Sequence, residues 1–422
     1  MGVRTATDTR QAGTEAAFAA VRERTLTLIA ELSPEQLERQ IDPILSPLVW
    51  DLAHIAAYED LWLVHRHAAL PLLRADLAER YDAFETPRAI RGDIEILDTA
   101  GALEYLAAVR DRTLQAIATH GVDPVIHGMV LRHEQQHTET MLQTLSAARI
   151  PGYDIPGRSA APAGPGGYTG LEFVPIAGGE TKIGAGPEDF SFDNERPVHV
   201  VHVEPFRIAR TLVTNATWGS FAEGGGYERR EWWSEEAWAW KQEYDISHPL
   251  HWERRPDGSW LEHTYHGPRE LDSDHPVAHV SWFEAAAFAR AHGARLPTET
   301  EWEAAATWNQ LFASRDANLA PGVFGTTPVG AHPGGAADCG TLDLLGNLWE
   351  WTSSEFDGYP GFTARPYREY SEVFFASGMK VLRGGSWATQ SEVASRTFRN
   401  WDLPLRRQIF CGVRLAIDEE QS

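Results

Sequence analysis

A stretch rich in proline and glycine divides the sequence into two parts of different character. Residues 155–167 read IPGRSAAPAGPGG, a composition typical of a linker. Apolar residues recur at helical spacing before it, whereas 14 of the 16 tryptophans lie beyond residue 217. A chain of 422 residues is long enough for two domains with separate cores. We therefore expect a first domain at 1–155, a linker at 156–170 and a second domain at 171–422.

The first part predicts four to five amphipathic helices, which is typical of a helical bundle. Apolar residues follow the helical period in Ala16 to Leu32, Leu48 to His67, Ala100 to His120 and Val125 to Arg149. Ser33-Pro34-Glu35-Gln36 is typical of a helix start, with serine as the N-cap and proline in the first turn.

The second part predicts an α+β domain with long connections. Its strand-like runs are short, as in Val198 to Val203 and Lys380 to Leu382. Helical periodicity is convincing only at Thr214 to Ala222 and Trp282 to His292, with a further turn at Thr298 to Thr307. We expect a core of aromatic side chains packed under these connections.

Three histidines of the first part point into the predicted bundle core. His133 and His137 are four residues apart in register with an apolar stripe, so they project from one face of a helix. His54 lies on another predicted helix, with Trp50 and Tyr58 one turn to either side. Histidines at this spacing can bind one ion, and the facing helices of a bundle commonly supply metal ligands. The sequence therefore predicts a metal site at these three histidines.

Other interpretations of the histidines stay open. A single histidine in a core is usually a structural residue. The pattern His-Glu-x-x-His at 133–137 also occurs in zinc peptidases, where Glu134 would be the general base. That mechanism needs a third ligand, and residues 138–165 offer only Glu139 and Asp154. A binding module without catalysis is a further alternative, but it leaves the histidines without a function.

Charge and cysteine content exclude several classes of partner. The net charge of −23 is spread along the chain, which argues against nucleic acid or an anionic membrane. No apolar run approaches the length that spans a membrane, and Met1 to Glu15 lacks the layout of a secretion signal. Two cysteines, Cys339 and Cys411, give no disulfide framework and suit a reducing compartment. We expect a cytoplasmic protein.

Motifs in both parts resemble known families. The first part resembles the DinB-like helical bundles, which carry a three-histidine metal site. The second part resembles the formylglycine-generating enzymes (sulfatase-modifying factors), whose fold is a variant of the C-type lectin fold. The strings that carry the second resemblance are DNERP at 193–197, RLPTE at 295–299, GNLWEW at 346–351 and RGGSW at 383–387.

The two domains in this order resemble the ergothioneine sulfoxide synthases, also called hercynine oxygenases. SPLVWDLAH at 46–54 and FRNWD at 398–402 are similar to the actinobacterial branch of that family. The resemblance implies a non-haem Fe(II) enzyme, with iron on His54, His133 and His137. It implies that O2 is used to join the sulfur of γ-glutamylcysteine to the imidazole carbon of hercynine (Nα-trimethylhistidine) as a sulfoxide. An ovothiol-type synthase, acting on histidine and cysteine, is the alternative.

One departure concerns the cysteines of the formylglycine-generating enzymes. Those enzymes carry a cysteine pair just after the Arg-Gly-Gly-Ser motif, whereas residues 387–390 read WATQ here. Thiol–copper chemistry is therefore not expected of the second domain.

The resemblance also implies a site for γ-glutamylcysteine. Arg88 and Arg91 would bind its carboxylates, because guanidinium groups bind carboxylates through two parallel hydrogen bonds. Asp402 would pair with its ammonium group. Without the family, a solvated surface pair would be the default interpretation of the two arginines.

Further residues are implied for hercynine and for catalysis. Gln136 would hydrogen-bond the hercynine imidazole, and Asn400 would reach its carboxylate. Tyr370 and Trp401 would hold the trimethylammonium group, which has no N–H to donate and is best bound on aromatic faces. Tyr367 would be the catalytic acid, with Tyr370 as the alternative because the two tyrosines are one turn apart.

Overall fold

The computed structural model describes residues 6–155, 158–187, 190–308 and 316–419. The chain forms two compact units, Met1–Pro156 and Gly157–Ser422. Pro156 and Gly157, at the start of the predicted linker, lie outside the described residues. No helix in the described ranges combines the length and apolar character needed to cross a membrane.

The described part of the first unit is a helical bundle, which confirms the predicted fold class. The α-helix Leu48–Glu59 continues directly into a π-helical segment, Asp60–His67, so the single helix predicted from Leu48 to His67 has two parts. The α-helices are α1 (Ala6–Ile29), α2 (Pro34–Glu38), α3 (Leu48–Glu59), α4 (Thr99–His120) and α5 (Pro124–Ala148).

Side-chain caps fix where these helices begin. Ser33 accepts a hydrogen bond from the Gln36 N–H, and the Gln36 side chain accepts one from the Ser33 N–H, which forms a capping box. This confirms the predicted helix start, although α2 has only five residues because Arg39 is already extended. The Asp98 side chain caps α4 by accepting the Gly101 N–H, and the Asp123 side chain caps α5 by accepting the N–H groups of Val125 and Ile126.

A buried ion network joins the four long helices of the bundle. Arg22 of α1 lies 2.8 Å from Glu134 of α5 and 2.9 Å from Glu59 of α3. Arg110 of α4 lies 2.8 Å from Glu59 and 2.9 Å from Glu134. Burial acts to raise the pKa of Glu59, but the attraction of Arg110 and Arg22 outweighs it and the pKa is lowered. Both carboxylates are thus compensated, and α3 is fixed against α5.

The described part of the second unit combines short helices with four small sheets, as the α+β class predicts. The helices are α6 (Asn215–Glu223), α7 (Glu235–Glu243), α8 (Trp282–Ala291) and α9 (Glu299–Ala305). The sheets have the strand orders β1-β4-β12, β2-β3, β5-β6-β7 and β10-β9-β8-β11. The strands are β1 (Phe173–Ile176), β2 (Gly179–Ile183), β3 (His199–Val203), β4 (Phe206–Ala209), β5 (Trp252–Arg254), β6 (Trp260–Thr264), β7 (Gly267–Glu270), β8 (Trp349–Glu355), β9 (Lys380–Arg383), β10 (Asn400–Asp402), β11 (Cys411–Gly412) and β12 (Ala416–Asp418).

Helix α7 was not predicted from the sequence. Of its nine residues only Ala237 and Trp240 are buried, so its apolar periodicity is weak. The available signal was Ser234, which accepts a hydrogen bond from the Ala237 N–H at 3.1 Å and is followed by two glutamates.

The strings that resemble formylglycine-generating enzymes supply buried charge pairs within the second unit. Arg383 of RGGSW pairs with Glu303, and Glu299 of RLPTE accepts from Arg399 at 2.8 Å. Glu350 of GNLWEW accepts from Arg414 at 2.6 Å. These pairs hold the long connections together where short strands alone bury little surface.

Candidate metal centre

The three predicted histidines come together inside the bundle. His54 lies on α3, and His133 and His137 lie one turn apart on α5. One ring nitrogen from each histidine lies within 4.8 Å of the others. The Nε2 atoms of His54 and His133 are 3.1 Å apart. Three ring nitrogens this close form a binding site that a single ion can fill.

Hydrogen bonds at the far side of two rings fix which nitrogen faces the centre. His54 Nδ1 lies 2.6 Å from the Tyr81 carbonyl oxygen, which only accepts, so Nδ1 carries the proton. His137 Nδ1 lies 3.2 Å from Asp51 Oδ1. Each Nε2 is thus left with its lone pair available. A carboxylate or carbonyl behind a histidine ligand is a common feature of protein metal sites.

Aromatic side chains hold the planes of the imidazole rings. Trp50 stacks on His54 with ring centroids 4.8 Å apart and planes at 13°. Tyr58 stacks on His133 at 3.7 Å and 9°. Trp50 is in turn covered by Arg91, whose guanidinium carbon lies 3.4 Å from the centroid of the Trp50 ring. The rings are therefore oriented before any ion binds.

Burial keeps two of the three imidazoles in the neutral form that binds metals. Burial lowers the pKa of His54 and of His133 well below the usual range, and repulsion from His137 adds to the effect. A metal ion therefore does not have to displace a proton from the ring nitrogens of His54 and His133 at pH 7. A set of three imidazole nitrogen donors fits divalent iron or zinc.

Glu134 is held by the ion network rather than by the histidine cluster. It accepts from Arg22 at 2.8 Å, from Arg110 at 2.9 Å and from the Thr25 hydroxyl at 2.8 Å. A zinc peptidase needs this glutamate as a base beside the metal. The structure therefore does not support that alternative.

The two arginines predicted to bind γ-glutamylcysteine have different environments. Arg88 begins a 3₁₀ turn, Arg88–Ile90, and is exposed. Arg91 is buried and donates to the Thr86 carbonyl at 2.9 Å and to Ser46 Oγ at 2.7 Å. Burial lowers the pKa of Arg91 to about 10. Arg91 is thus part of the fold of the first unit, in addition to any contact with substrate.

The predicted aromatic residues of the second unit lie together. The rings of Tyr370 and Trp401 are 5.9 Å apart and nearly perpendicular at 85°, which forms an aromatic corner. Tyr370 stacks on Phe192 at 4.4 Å, and Trp401 stacks on Phe356 at 4.1 Å. Tyr367 lies 6.4 Å from Tyr370 between ring centroids.

The remaining predicted residues lie on α5 and β10. Gln136 is half-buried beside His137. Asn400 Oδ1 accepts the Trp401 N–H at 2.9 Å. Asp402 Oδ1 lies 3.2 Å from Nε of Arg406, a buried arginine that sequence reasoning missed because the pair starts at the last residue of a strand, where helical spacing does not apply.

Sequence reasoning also missed Asp51 and Tyr81, which orient two of the histidines. Asp51 belongs to α3 but contacts His137 of α5, and Tyr81 lies in a loop 27 residues from His54. Neither contact has a signal in local sequence spacing, because both depend on how the helices and loops pack.

Comparisons with known proteins match both units. Residues 17–141 match the DinB superfamily, and residues 163–419 match the sulfatase-modifying factor enzyme 1-like domain. The chain is 42% identical to the hercynine oxygenase of Mycolicibacterium thermoresistibile over 95% of this chain and 93% of that protein. It is 43% identical to the hercynine oxygenase of Mycobacterium tuberculosis, over 95% and 97%. It is 29% identical to the formylglycine-generating enzyme of Thermomonospora curvata, over 63% and 98%.

Asp51→Ala should weaken metal binding about 10- to 100-fold, because the variant no longer orients His137 from behind. The measurement is the affinity for Fe(II) and for Zn(II), determined anaerobically against a chromophoric chelator. Asp123→Ala is the matched control, since it removes the side-chain cap of α5, the helix that carries His137, and its histidine contact is a backbone one to His127, outside the cluster. Equal losses in the two variants would show that Asp51 only stabilises the bundle.

Proposed function

The chain belongs to the hercynine oxygenase family, and we propose that it is a non-haem Fe(II) enzyme whose thiol substrate is γ-glutamylcysteine. As a hercynine oxygenase it is a sulfoxide synthase of ergothioneine biosynthesis. The observation that carries the iron assignment is the cluster of His54, His133 and His137, in which burial lowers the pKa of His54 and of His133. Imidazole ligands alone do not choose between iron and zinc, but a reaction that consumes O2 requires a redox-active metal.

The proposed reaction balances with O2 as the sole oxidant. A thiol S–H and an imidazole C–H are broken, one C–S bond forms, and the sulfur is then oxidised to a sulfoxide. These two steps release four electrons, which reduce O2: one oxygen atom ends in the sulfoxide and the other in water. Bound Fe(II) supplies the electron transfer to O2, and the chain supplies binding, orientation and protons.

The thiol site is proposed at Arg88, Arg91 and Asp402. Arg88 is exposed, so a substrate carboxylate can reach its guanidinium group. Arg91 is already engaged with Ser46 and Thr86, so we assign it a smaller share of the substrate contact. Asp402 would carry the negative charge for the α-ammonium group, with Arg406 3.2 Å away to fix its position.

The hercynine site is proposed at Tyr370, Trp401, Gln136 and Asn400. The perpendicular rings of Tyr370 and Trp401 present the aromatic faces that a trimethylammonium group needs. Gln136 is assigned to the imidazole and Asn400 to the carboxylate. An amide can donate and accept, which suits both of these contacts.

Tyr367 is the proposed catalytic acid. Its phenol would donate the proton that O2 needs as it is reduced, which directs the oxidation toward C–S bond formation. Its partner Tyr370 is held against Phe192 and Trp401, and that packing favours a binding role for Tyr370.

The proposed function is tested by mass spectrometry of the products. Anaerobically iron-loaded protein is given O2 with hercynine or histidine and with γ-glutamylcysteine or cysteine. We expect the sulfoxide of hercynine with γ-glutamylcysteine to dominate. Preferred turnover of histidine with cysteine would make the chain an ovothiol-type synthase, and equal activity of zinc-loaded protein would contradict the iron assignment.

Arg88→Ala should raise the KM for γ-glutamylcysteine by roughly 10- to 100-fold, because a charge-assisted hydrogen bond contributes about 1.5–3 kcal/mol. The KM for hercynine should stay nearly constant. Arg66→Ala, which removes another exposed arginine of the first unit, serves as the control. If both substrates are affected equally, Arg88 supports the fold instead of binding the thiol.

Tyr367→Phe should change the product rather than abolish O2 consumption. Loss of a positioned acid typically lowers the rate of the step it serves, here sulfoxide formation, by about 10²- to 10⁴-fold. Oxidation of the thiol sulfur to γ-glutamylcysteine sulfinate is then the expected alternative. The measurement is the ratio of the hercynine sulfoxide to γ-glutamylcysteine sulfinate (the sulfoxide-to-sulfinate ratio) at matched O2 consumption, in Tyr367→Phe and in Tyr370→Phe. A shift in Tyr370→Phe alone would move the acid to Tyr370, and a shift in neither would exclude both tyrosines.

A further inference from the structure

A buried turn of the second unit, Phe192–Glu195, contacts both segments that carry proposed site residues. It contains a short 3₁₀ turn, Asp193–Glu195, in which the three residues are 4%, 1% and 3% exposed. Three consecutive polar residues buried to this degree require partners, because burial removes them from water. The hydrogen-bond partners of this turn therefore identify the segments that it positions.

Asp193 ties both ends of the segment 365–371, which carries Tyr367 and Tyr370. Asp193 Oδ1 accepts from the Ser371 hydroxyl at 2.7 Å. Asp193 Oδ2 accepts from the Arg365 backbone N–H at 3.2 Å. One carboxylate thus fixes the two ends of a loop whose middle bears the two tyrosines.

The same turn contacts the segment that leads into β10. The Asn194 carbonyl accepts from Arg399 at 2.8 Å, and Glu195 accepts from the Thr397 hydroxyl at 2.5 Å. Phe192 contacts both segments. Its ring stacks on Tyr370, with centroids 4.4 Å apart, and meets the Phe398 ring edge-on at 5.7 Å.

The segment 365–371 has little burial of its own to fix it. Arg365, Pro366, Arg368 and Glu369 are exposed. A stretch with few buried apolar groups opens locally at low free energy, so individual anchoring hydrogen bonds have a large effect on it. Asp193 provides two such bonds from a rigid, buried position.

We infer that Asp193 is a positioning residue, which keeps Tyr367 and Tyr370 placed beside Trp401. It does so by hydrogen-bonding the segment 365–371 to the buried turn, a connection that we call the tie. Asp193 acts through Ser371 and Arg365 and has no assigned contact with substrate. The consequence for catalysis rests on the roles proposed above for the two tyrosines, whereas the tie itself does not.

The hydrogen-bond pattern makes a specific prediction for the conservative variant. In Asp193→Asn the amide oxygen accepts from the Arg365 N–H, while the amide N–H₂ donates to Ser371 Oγ, because a hydroxyl can also accept. Asp193→Ala loses both bonds, and Ser371→Ala loses one. We therefore expect Asn to restore what Ala removes.

The experiment measures hydrogen–deuterium exchange of residues 365–371 in the full chain. Asp193→Ala should speed exchange there about 5- to 30-fold, because the loss of two hydrogen bonds raises the equilibrium constant for local opening of the segment by about that factor. Ser371→Ala should give a smaller change in the same direction, and it replaces Asp193→Ala if that variant does not fold. Asp193→Asn should exchange like the original chain.

Asp343→Ala is the matched control. Asp343 is a buried carboxylate of the same unit that accepts the Gly330 N–H at 2.7 Å, so its loss costs stability without removing a bond to the segment 365–371. Equal exchange in the two alanine variants, or no rescue by Asn, would overturn the tie.

Kinetics then separate the tie from the proposed function. Asp193→Ala should raise the KM for hercynine and lower the sulfoxide-to-sulfinate ratio, each by at least the change seen in Ser371→Ala, while Asp343→Ala changes neither. Faster exchange with unchanged KM and product ratio would leave the tie in place but overturn both the positioning role and the proposed roles of Tyr367 and Tyr370.

Discussion

The ion network among Arg22, Arg110, Glu59 and Glu134 is the constraint on which the metal centre depends. It is buried and joins the four long helices, so it fixes the rotation of α3 and α5 about their axes. Glu134 is the direct neighbour of His133 in the chain, so its side chain leaves α5 on a different face. With the acidic side held by two arginines, the imidazoles of α5 are directed toward His54. Charge pairing on one face of α5 thereby positions imidazole rings on another.

The second unit uses buried charge in a similar way, but on loops. Pairs such as Arg414 with Glu350 and Arg399 with Glu299 fix connections between strands of only two to seven residues. The buried turn Phe192–Glu195 extends this framework to the segments of Tyr370 and Trp401. In both units, residues proposed for chemistry are held by polar groups that do not themselves take part in it.

The sequence was sufficient for those features that depend on local spacing. The helical period predicted the bundle, the i,i+4 spacing predicted that His133 and His137 share a face, and Ser33 predicted a helix start. Features that depend on packing were missed: the π-helical segment after Glu59, helix α7 and the contact of Asp51 with His137. Arg91 shows the same limit: without the family, a solvated surface pair was the default interpretation of Arg88 and Arg91, whereas tertiary contacts bury Arg91 against Trp50.

The central claim is that His54, His133 and His137 together hold one iron ion through their Nε2 atoms. Anomalous diffraction at the iron absorption edge, from crystals of anaerobically iron-loaded protein, tests it most directly. We expect a single peak per chain, within bonding distance of all three Nε2 atoms, with Asp51 still behind His137. A peak bonded to fewer than three of these histidines, or located elsewhere in the chain, would contradict it.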